Sequence, residues 1–386
     1  MRYRKSILIS LLIIINLLLS ACWSYTEIDE RLIVGSVGID YGEYKDTYKL
    51  TIRAVSAKPS VSGVEIVPEV ISMEGKTVFD VIRKAAPIYG TKLYWSHLQS
   101  IVISEELAQS NVLTTLDFFY RDAEIRPDSR VYIASGATAE QIIRTEALNQ
   151  EKTQFALSQA IKTQEFVGSF PDVDLVEFQR RVLDETTEST APIVSIYIDL
   201  EGMLRVEGTA MFIGPRLVGK LNREESLVVL LIGNDVKNPI MTIPINSKEV
   251  SNVIRNQTLE IFRSKSNIKS SIKDDKVKIL VDIQLDVGMA EANYSMNYLN
   301  ERDIKELKSV SEDEIRKMFI RTINKIQEYK TDVFGFGKAV EMEDPKLWKK
   351  IKEQWSENFS NLPVDVKVTV NIIGTGKTTT SLEGDK

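Results

Sequence analysis

The sequence predicts an α+β protein of more than one domain, with a mixed α/β region in its N-terminal half and an antiparallel sheet in its C-terminal half. Two stretches of the C-terminal half alternate apolar and polar residues, and a segment with helical spacing separates them. At 386 residues the chain is long enough for two or three domains. Its composition, 43% hydrophobic and 27% charged, is that of a globular protein.

Residues 1–21 have the layout of a secretory signal peptide. Basic residues occupy positions 2, 4 and 5, and an apolar run interrupted only by Ser10 and Asn16 covers 7–19. Leu19-Ser20-Ala21 provides the small residues of a cleavage site. Cys22, the only cysteine, follows directly. A plain transmembrane anchor is one alternative, but a helix needs roughly 20 apolar residues to cross a bilayer. A buried thiol beside an ordinary signal is the other.

Leu-Ser-Ala-Cys resembles the lipobox of bacterial lipoproteins. The resemblance implies a mature chain that starts at Cys22, with a diacylglyceryl thioether on its sulfur and an acylated amine. Two acyl chains attach a soluble body to a membrane without help from its surface. Loss of the signal changes the formal charge from -6 to -9, so we expect that body to stand off anionic headgroups. No cysteine remains for a disulfide, and core packing must stabilise the exported fold.

The region from residue 22 to residue 190 is predicted to be mixed α/β. Residues 33–40 and 48–55 are predicted strands joined by a polar turn, which indicates a hairpin. A division into two subdomains near residues 136–150 stays open. Further strands are predicted at 98–104 and 130–135, and helices at 77–86, 138–148, 152–166 and 172–186.

A domain boundary is predicted at residues 184–190, because this stretch (DETTEST) has no apolar side chain. The C-terminal domain then covers 191–374. Apolar residues alternate over Val277–Val287 and again over Val364–Ile372, as in strands that have one face on a core. Residues 375–386 are polar and are expected to form a flexible tail.

Two helices are predicted to pack on one side of that antiparallel sheet. The first runs from Ser311 to Tyr329, because Ser311 and Glu314 have the spacing of a capping box and apolar residues recur every three or four positions after them. The second covers residues 344–359, where Leu347, Trp348 and other apolar residues share one face.

The sequence offers little for catalysis. His97 is the only histidine, and it precedes a predicted buried strand, so a structural role is expected. Zinc sites need several histidine or cysteine ligands close together. We therefore predict no catalytic residue, no metal site and no cofactor. A pI of about 5.3 argues against nucleic acid, whose binders usually have a basic surface.

Three motifs, in their order and spacing, resemble the C-subunit lipoproteins of spore germinant receptors, the Ger(x)C family. Ser24 departs from the aspartate that the family has after its Cys-Trp pair, and Pro215-Arg216 replaces its more usual Asp-Lys. The resemblance covers nearly all of the mature chain. The motifs are Cys22-Trp23 with Glu27-Ile28, Glu207-Gly208-Thr209-Ala210-Met211-Phe212 with Leu217-Val218-Gly219-Lys220-Leu221, and Asp332-Val333-Phe334-Gly335-Phe336-Gly337 with Trp348 and Trp355.

The second and third motifs are candidates for either partner contact or a structural role. Glu207 and Gly208 are most simply part of a strand that leads into a tight turn at residues 214–216. The Phe334–Gly337 stretch is most simply a sharp turn from a helix to a strand, for which glycine is suited. Its two aromatic residues belong either to the core or to an exposed docking patch. Asp332 begins the motif.

The resemblance implies a non-enzymatic subunit of a nutrient receptor. Such a protein works with two membrane-embedded partner subunits, on the outer face of the cell membrane that becomes the inner membrane of the spore, in receptor assembly or signalling. Whether it contacts the nutrient stays open. The alternative is a lipid-anchored solute-binding protein of a transporter, a class that has two α/β lobes around a cleft. The alternating strands of the C-terminal half argue against that class.

Overall fold

The computed structural model describes residues 3–4, 31–60, 63–148, 156–197, 202–244, 256–292 and 301–374. Cys22, the cleavage site and the predicted tail lie outside these residues. The described strands are β1 (Arg31–Tyr41), β2 (Tyr48–Ser60), β3 (Gly63–Gly75), β4 (Lys92–Tyr94), β5 (Ser100–Ser104), β6 (Arg130–Ala134), β7 (Thr190–Ile196), β8 (Leu204–Ile213), β9 (Arg216–Leu221), β10 (Ile240–Pro244), β11 (Asn256–Lys273), β12 (Lys276–Ala292) and β13 (Val364–Gly374).

Helices alternate with these strands in both halves of the chain. A 3₁₀ turn at Lys352–Gln354 separates the last two of them. The described helices are α1 (Val78–Tyr89), α2 (Glu105–Ser110), α3 (Val112–Arg121), α4 (Ala139–Leu148), α5 (Ala156–Val167), α6 (Leu175–Val182), α7 (Arg223–Gly233), α8 (Glu301–Glu328), α9 (Phe336–Glu343), α10 (Pro345–Ile351) and α11 (Trp355–Ser360).

The first sheet has nine strands in the order β3-β2-β1-β5-β6-β7-β8-β9, with β4 paired to the start of β1. Its centre is parallel, because β1, β5, β6 and β7 run in one direction. Antiparallel hairpins extend it at both ends. The predicted β1–β2 hairpin is therefore confirmed, and so is the α+β fold class.

Helices cover both faces of the first sheet. In β5, Ile101 and Ile103 join a large core with α1, α2, α3 and α6, while Val102 points to a smaller core with α4 and α5. Successive side chains of a strand point to opposite faces, so a strand covered on both faces is apolar throughout. This explains why the central strands are short continuous apolar runs in the sequence.

The second sheet has four strands in the order β10-β11-β12-β13. Alternate residues of β12 from Ile279 to Val287 are fully buried and join one core with α7, α8 and α9. The predicted strands are present, but β13 pairs with β12 in the parallel direction, so the sheet is mixed and only its first three strands are antiparallel. Period-two alternation marks a strand and carries no information on its direction.

The two predicted helices on this sheet differ from the structure in their limits. The first begins at Glu301, ten residues before the predicted capping box, and Ser311 lies buried inside it. Leu307, Ser311 and Ile315 follow each other at four-residue spacing, and all three face the core. The second predicted helix is divided into α10, the 3₁₀ turn and α11.

The first sheet extends past the predicted boundary at residue 190. β7 starts at Thr190, and β8 and β9 continue the sheet to Leu221. Residues 184–189 connect α6 to β7 and contact the C-terminal half of the chain. The predicted boundary therefore lies where the two halves of the chain contact each other.

Candidate functional site

Asp332 begins the third sequence motif, and its carboxylate is buried. Its Oδ1 accepts hydrogen bonds from the backbone N–H groups of Gly335 and Phe336, both at 3.0 Å. Its Oδ2 accepts from the backbone N–H of Gly337 at 2.7 Å and from the indole Nε1–H of Trp355 at 2.9 Å. The Asp332 carboxylate therefore has a structural role, because its removal would leave four donors without their hydrogen-bond acceptor.

Asp332 provides the N-terminal cap of α9 from a distance. The N-cap residue is Gly335, which has φ of 77° and no side chain with which to accept a hydrogen bond. The first N–H groups of a helix have no partner within the helix. Asp332 supplies that partner, and its negative charge lies at the positive end of the helix dipole.

The two aromatic residues of the motif lie in the core. Phe336 is fully buried, and its ring stacks on Phe334 with centroids 5.0 Å apart. Phe359 of α11 lies 6.0 Å from Phe336 on another side. Of the two alternatives that the sequence left open, this burial favours the structural role. The turn also leads into α9, so the predicted turn from helix to strand was wrong.

The glycines of the motif allow a close approach to residues 184–189. A Cβ on Gly337 would lie 2.8 Å from the carbonyl oxygen of Thr186 and 2.8 Å from the Trp348 ring. A Cβ on Gly335 would lie 2.9 Å from the Thr187 hydroxyl. Gly337 is therefore needed because another backbone approaches it closely, and Gly335 because its φ of 77° and the Thr187 side chain disfavour a Cβ.

Residues 184–189, the β8–β9 turn (residues 212–216) and residues 331–337 together form what we call the junction. The Glu188 N–H donates to the Asp332 carbonyl oxygen at 2.9 Å. The Glu188 Oε2 accepts from the Gly214 N–H at 2.8 Å, and the Thr331 hydroxyl donates to the Phe212 carbonyl oxygen at 2.5 Å. Glu188 could not be recognised from the sequence, since a polar stretch with no apolar residue gives no sign of burial.

The two carboxyl groups of the junction have raised pKa values. Burial raises the pKa of Glu188 to about 7; the Gly214 N–H lowers it, and the acidic Asp332 and Asp184 raise it further. Burial also raises the pKa of Asp332 to about 6, against the effect of its four hydrogen-bond donors. Desolvation disfavours the charged form of a carboxyl group. Glu188 accepts one hydrogen bond, from Gly214, to offset this effect, whereas Asp332 accepts four.

Glu207 and Gly208 form a bulge in β8, away from the junction carboxylates. Both residues lie opposite the single residue Ile193 of β7. Gly208 has φ of 96°, and its N–H donates to the Ser169 carbonyl oxygen at 2.8 Å. The Glu207 carboxylate lies 4.0 Å from Arg205 on the surface. Gly208 is explained by the bulge geometry, and Glu207 is a surface residue.

The described residues contain no group of three or more histidine, cysteine, aspartate or glutamate side chains that could hold a metal ion. Their helices also include none that is both long and apolar enough to cross a membrane. His97, expected to be structural, is exposed at a cleft of about 330 Å³. A cleft of about 770 Å³ lies between α1 and α3, where Phe79 and Phe118 stack at 5.7 Å.

Two protein-family models match the chain in consecutive regions. The model described as the spore germination protein N-terminal domain matches residues 24–196. The model described as Spore germination B3/GerAC like, C-terminal, matches residues 207–376. The two matches are separated by residues 197–206, which follow β7.

Curated relatives match over almost their whole length. Spore germination protein KC of Bacillus subtilis is 21% identical over 401 residues, covering 97% of this chain and 96% of the relative. Spore germination protein YndF of the same species is 25% identical, with 93% and 94% covered. Spore germination protein GerQC of Bacillus cereus is 21% identical, with 95% and 98% covered.

The fold is similar to a solved structure, described as the crystal structure of the GerBC protein. The TM-score is 0.57 at 20% sequence identity, covering 87% of this chain and 97% of that chain. This similarity supports the two-sheet α+β architecture.

Proposed function

Because the chain belongs to the GerAC-like family of spore germination proteins, we propose that it is a lipid-anchored, non-enzymatic subunit of a nutrient germinant receptor. The observation that carries this proposal is the match of both family models, which together extend from residue 24 to residue 376. The relatives that match nearly the whole chain are named as spore germination proteins.

The lipid anchor is supported by the sequence before the folded region. Cys22 follows Leu19-Ser20-Ala21, and only eight residues lie between it and Arg31, where β1 begins. The nine backbone steps from Cys22 to Arg31 span at most about 30 Å, so the anchor keeps the first sheet close to the bilayer. In this proposal the lipid holds the protein on the outer face of the cell membrane, which becomes the inner membrane of the spore.

A non-enzymatic role is supported by the hydrogen bonds of the buried Asp332 carboxylate. The Asp332 carboxylate is fully committed to hydrogen bonds within the protein. An acid or base in catalysis has to reach a substrate proton at hydrogen-bond distance. We therefore assign the chemistry of the germinant response to partner subunits, and we assign to this chain a role in assembly or signal transfer.

The expected partners are two membrane-embedded receptor subunits, which are also the better candidates for nutrient binding. An exported domain with no membrane-crossing helix among its described residues can contribute an external surface for such partners. Its acidic charge favours contact with proteins over contact with anionic lipid.

The test is copurification of the tagged full chain from spore membranes in mild detergent. We expect the two membrane-embedded receptor subunits to be recovered with the tagged chain, in a constant ratio to it. A tagged lipoprotein of unrelated function, expressed at the same level, is the control for non-specific recovery. Recovery of transporter permease and ATPase subunits instead would support the solute-binding alternative and overturn the proposal.

A further inference from the structure

The two halves of the molecule are joined at the junction by a chain of hydrogen bonds. Glu188 donates its N–H to the Asp332 carbonyl oxygen, and its carboxyl group accepts from Gly214 in the β8–β9 turn. One residue therefore bonds to the first sheet through its side chain and to the C-terminal half through its backbone. We propose that Glu188 and Asp332 form a proton-dependent latch, which holds the two halves together while Glu188 is protonated and loosens when Glu188 ionises.

Asp332 is the fixed member of this latch. Its carboxylate has four N–H donors at 2.7–3.0 Å, which satisfy the negative charge in place of water. This arrangement fixes the start of α9 and positions the carbonyl oxygen that Glu188 contacts. Asp332 is therefore an acidic group at a defined place beside Glu188, and it acts to raise the pKa of Glu188.

Glu188 is the member that responds to pH. Gly214 provides a hydrogen bond to its carboxyl group, and the charged groups that act most strongly on it, Asp332 and Asp184, are both acidic. The nearby cations are directed elsewhere. Arg180 and Arg181 bind Glu177, and Arg180 also lies 3.7 Å from the Asp184 carboxylate. Lys352 binds Glu185, and Arg216 of the β8–β9 turn and Lys338 of α9 are exposed.

The direction of the pH effect follows from the raised pKa of Glu188. Its pKa is about 7 in the folded protein, against 4.5 for the ordinary side chain. A raised folded-state pKa means that the folded junction binds the proton more tightly than the unfolded chain does. Its stabilising contribution is complete below pH 4.5 and is lost as the pH rises through about 7.

Amide hydrogen exchange of the lipidated full chain in detergent tests this latch. Protection factors of the Glu188 and Gly214 amides are measured at pH 5 and pH 8, each corrected for the intrinsic exchange rate. We expect protection to fall on the order of a hundredfold toward pH 8, as a pKa shift of this size implies. The Glu188→Gln variant keeps an oxygen for Gly214 and has no titratable proton at this position, so its protection should change much less with pH. The change that remains comes from Asp332, whose pKa is about 6.

The control is Glu185→Gln in the same loop, an exposed residue bound to Lys352, which should retain the wild-type pH dependence. The proposal is overturned if Glu188→Gln loses as much protection as the wild type does, or if the control shows the same reduced pH dependence as Glu188→Gln. Should Glu188→Gln fail to fold, the carboxyl carbon of Glu188 is titrated by NMR in the wild type. A midpoint near 7 supports the latch, and a midpoint below 6 overturns it.

Discussion

At the scale of single residues, Asp332 shows how one buried side chain fixes a local structure. Replacement by asparagine puts an NH₂ group where two N–H donors, from Gly337 and Trp355, now meet Oδ2. Both donors lose their acceptor in a buried place, so we expect Asp332→Asn to lower the free energy of unfolding by about 3 kcal/mol. Urea denaturation at pH 7 measures this change.

The matched control for that variant is Asp344→Asn. Asp344 caps α10 by accepting from the N–H groups of Lys346 and Leu347 with its Oδ1 alone. Asparagine is about as good a cap as aspartate. A loss at Asp344→Asn as large as that at Asp332→Asn would contradict the special role assigned to the Asp332 site.

The sequence could predict the turn at Phe334–Gly337, but it could not identify the acceptor. Phenylalanine alternating with glycine indicates a sharp turn with aromatic residues nearby. Asp332 can cap a helix only because the chain continues as a helix after Gly335. The sequence pattern predicted a strand at that place. The burial of Glu188 depends on contacts with residues more than 100 positions away, and local composition holds no trace of them.

At the scale of elements, α8 shows that a capping-box pattern in the sequence does not always mark the start of a helix. Ser311 lies inside the helix, and its hydroxyl is buried without a hydrogen-bond partner among the described residues. We expect Ser311→Ala to leave the thermal stability unchanged or to raise it slightly, because it removes an unsatisfied polar group.

Asn222→Ala is the comparison for that variant, since Asn222 does form a capping box with Glu225 at the start of α7. Its loss should lower the free energy of unfolding by about 1 kcal/mol. Differential scanning calorimetry of both variants is the measurement. If Ser311→Ala costs as much as Asn222→Ala, Ser311 caps a helix after all.

Element types were easier to predict than element directions and limits. The alternation in β12 and β13 follows from burial of one face, and burial is what the sequence records. The parallel pairing of β13 follows from the path of α8, α9 and α10 across the sheet, which places β13 beside β12 in the same direction. The start of α8 escaped prediction because charged residues surround its first buried side chain, Leu307.

At the scale of the whole molecule, the lipid anchor gives the sharpest test. Cys22→Ala removes the sulfur that would carry the diacylglyceryl group, so we expect the protein to leave the membrane fraction or to keep its signal peptide. The measurement is membrane fractionation of sporulating cells together with mass spectrometry of the N-terminal peptide. Ser24→Ala, two residues further on, is the control and should stay attached and lipidated. A cleaved Cys22→Ala protein that remains in the membrane fraction would contradict the anchor.

The division of the molecule was the least predictable feature at this scale. A stretch without apolar residues usually lies in solvent, and residues 184–190 were therefore predicted as a boundary. In the structure their backbone atoms bond to both halves, and the first sheet continues to Leu221. Polar atoms can hold two halves together as apolar ones do, and hydropathy patterns record only the apolar contribution.

Two indole rings of α10 and α11, next to the junction, give the protein an optical signal. Trp348 and Trp355 lie 5.2 Å apart at 70° to each other, while Trp95 is packed between Phe118 and Phe119 in the first core. Two chromophores at that separation couple, and their near-ultraviolet circular dichroism reports the angle between them. Because Trp355 also donates to Asp332, we expect a displacement of Asp332 to change the ellipticity of this pair, whereas Trp95 belongs to the other core.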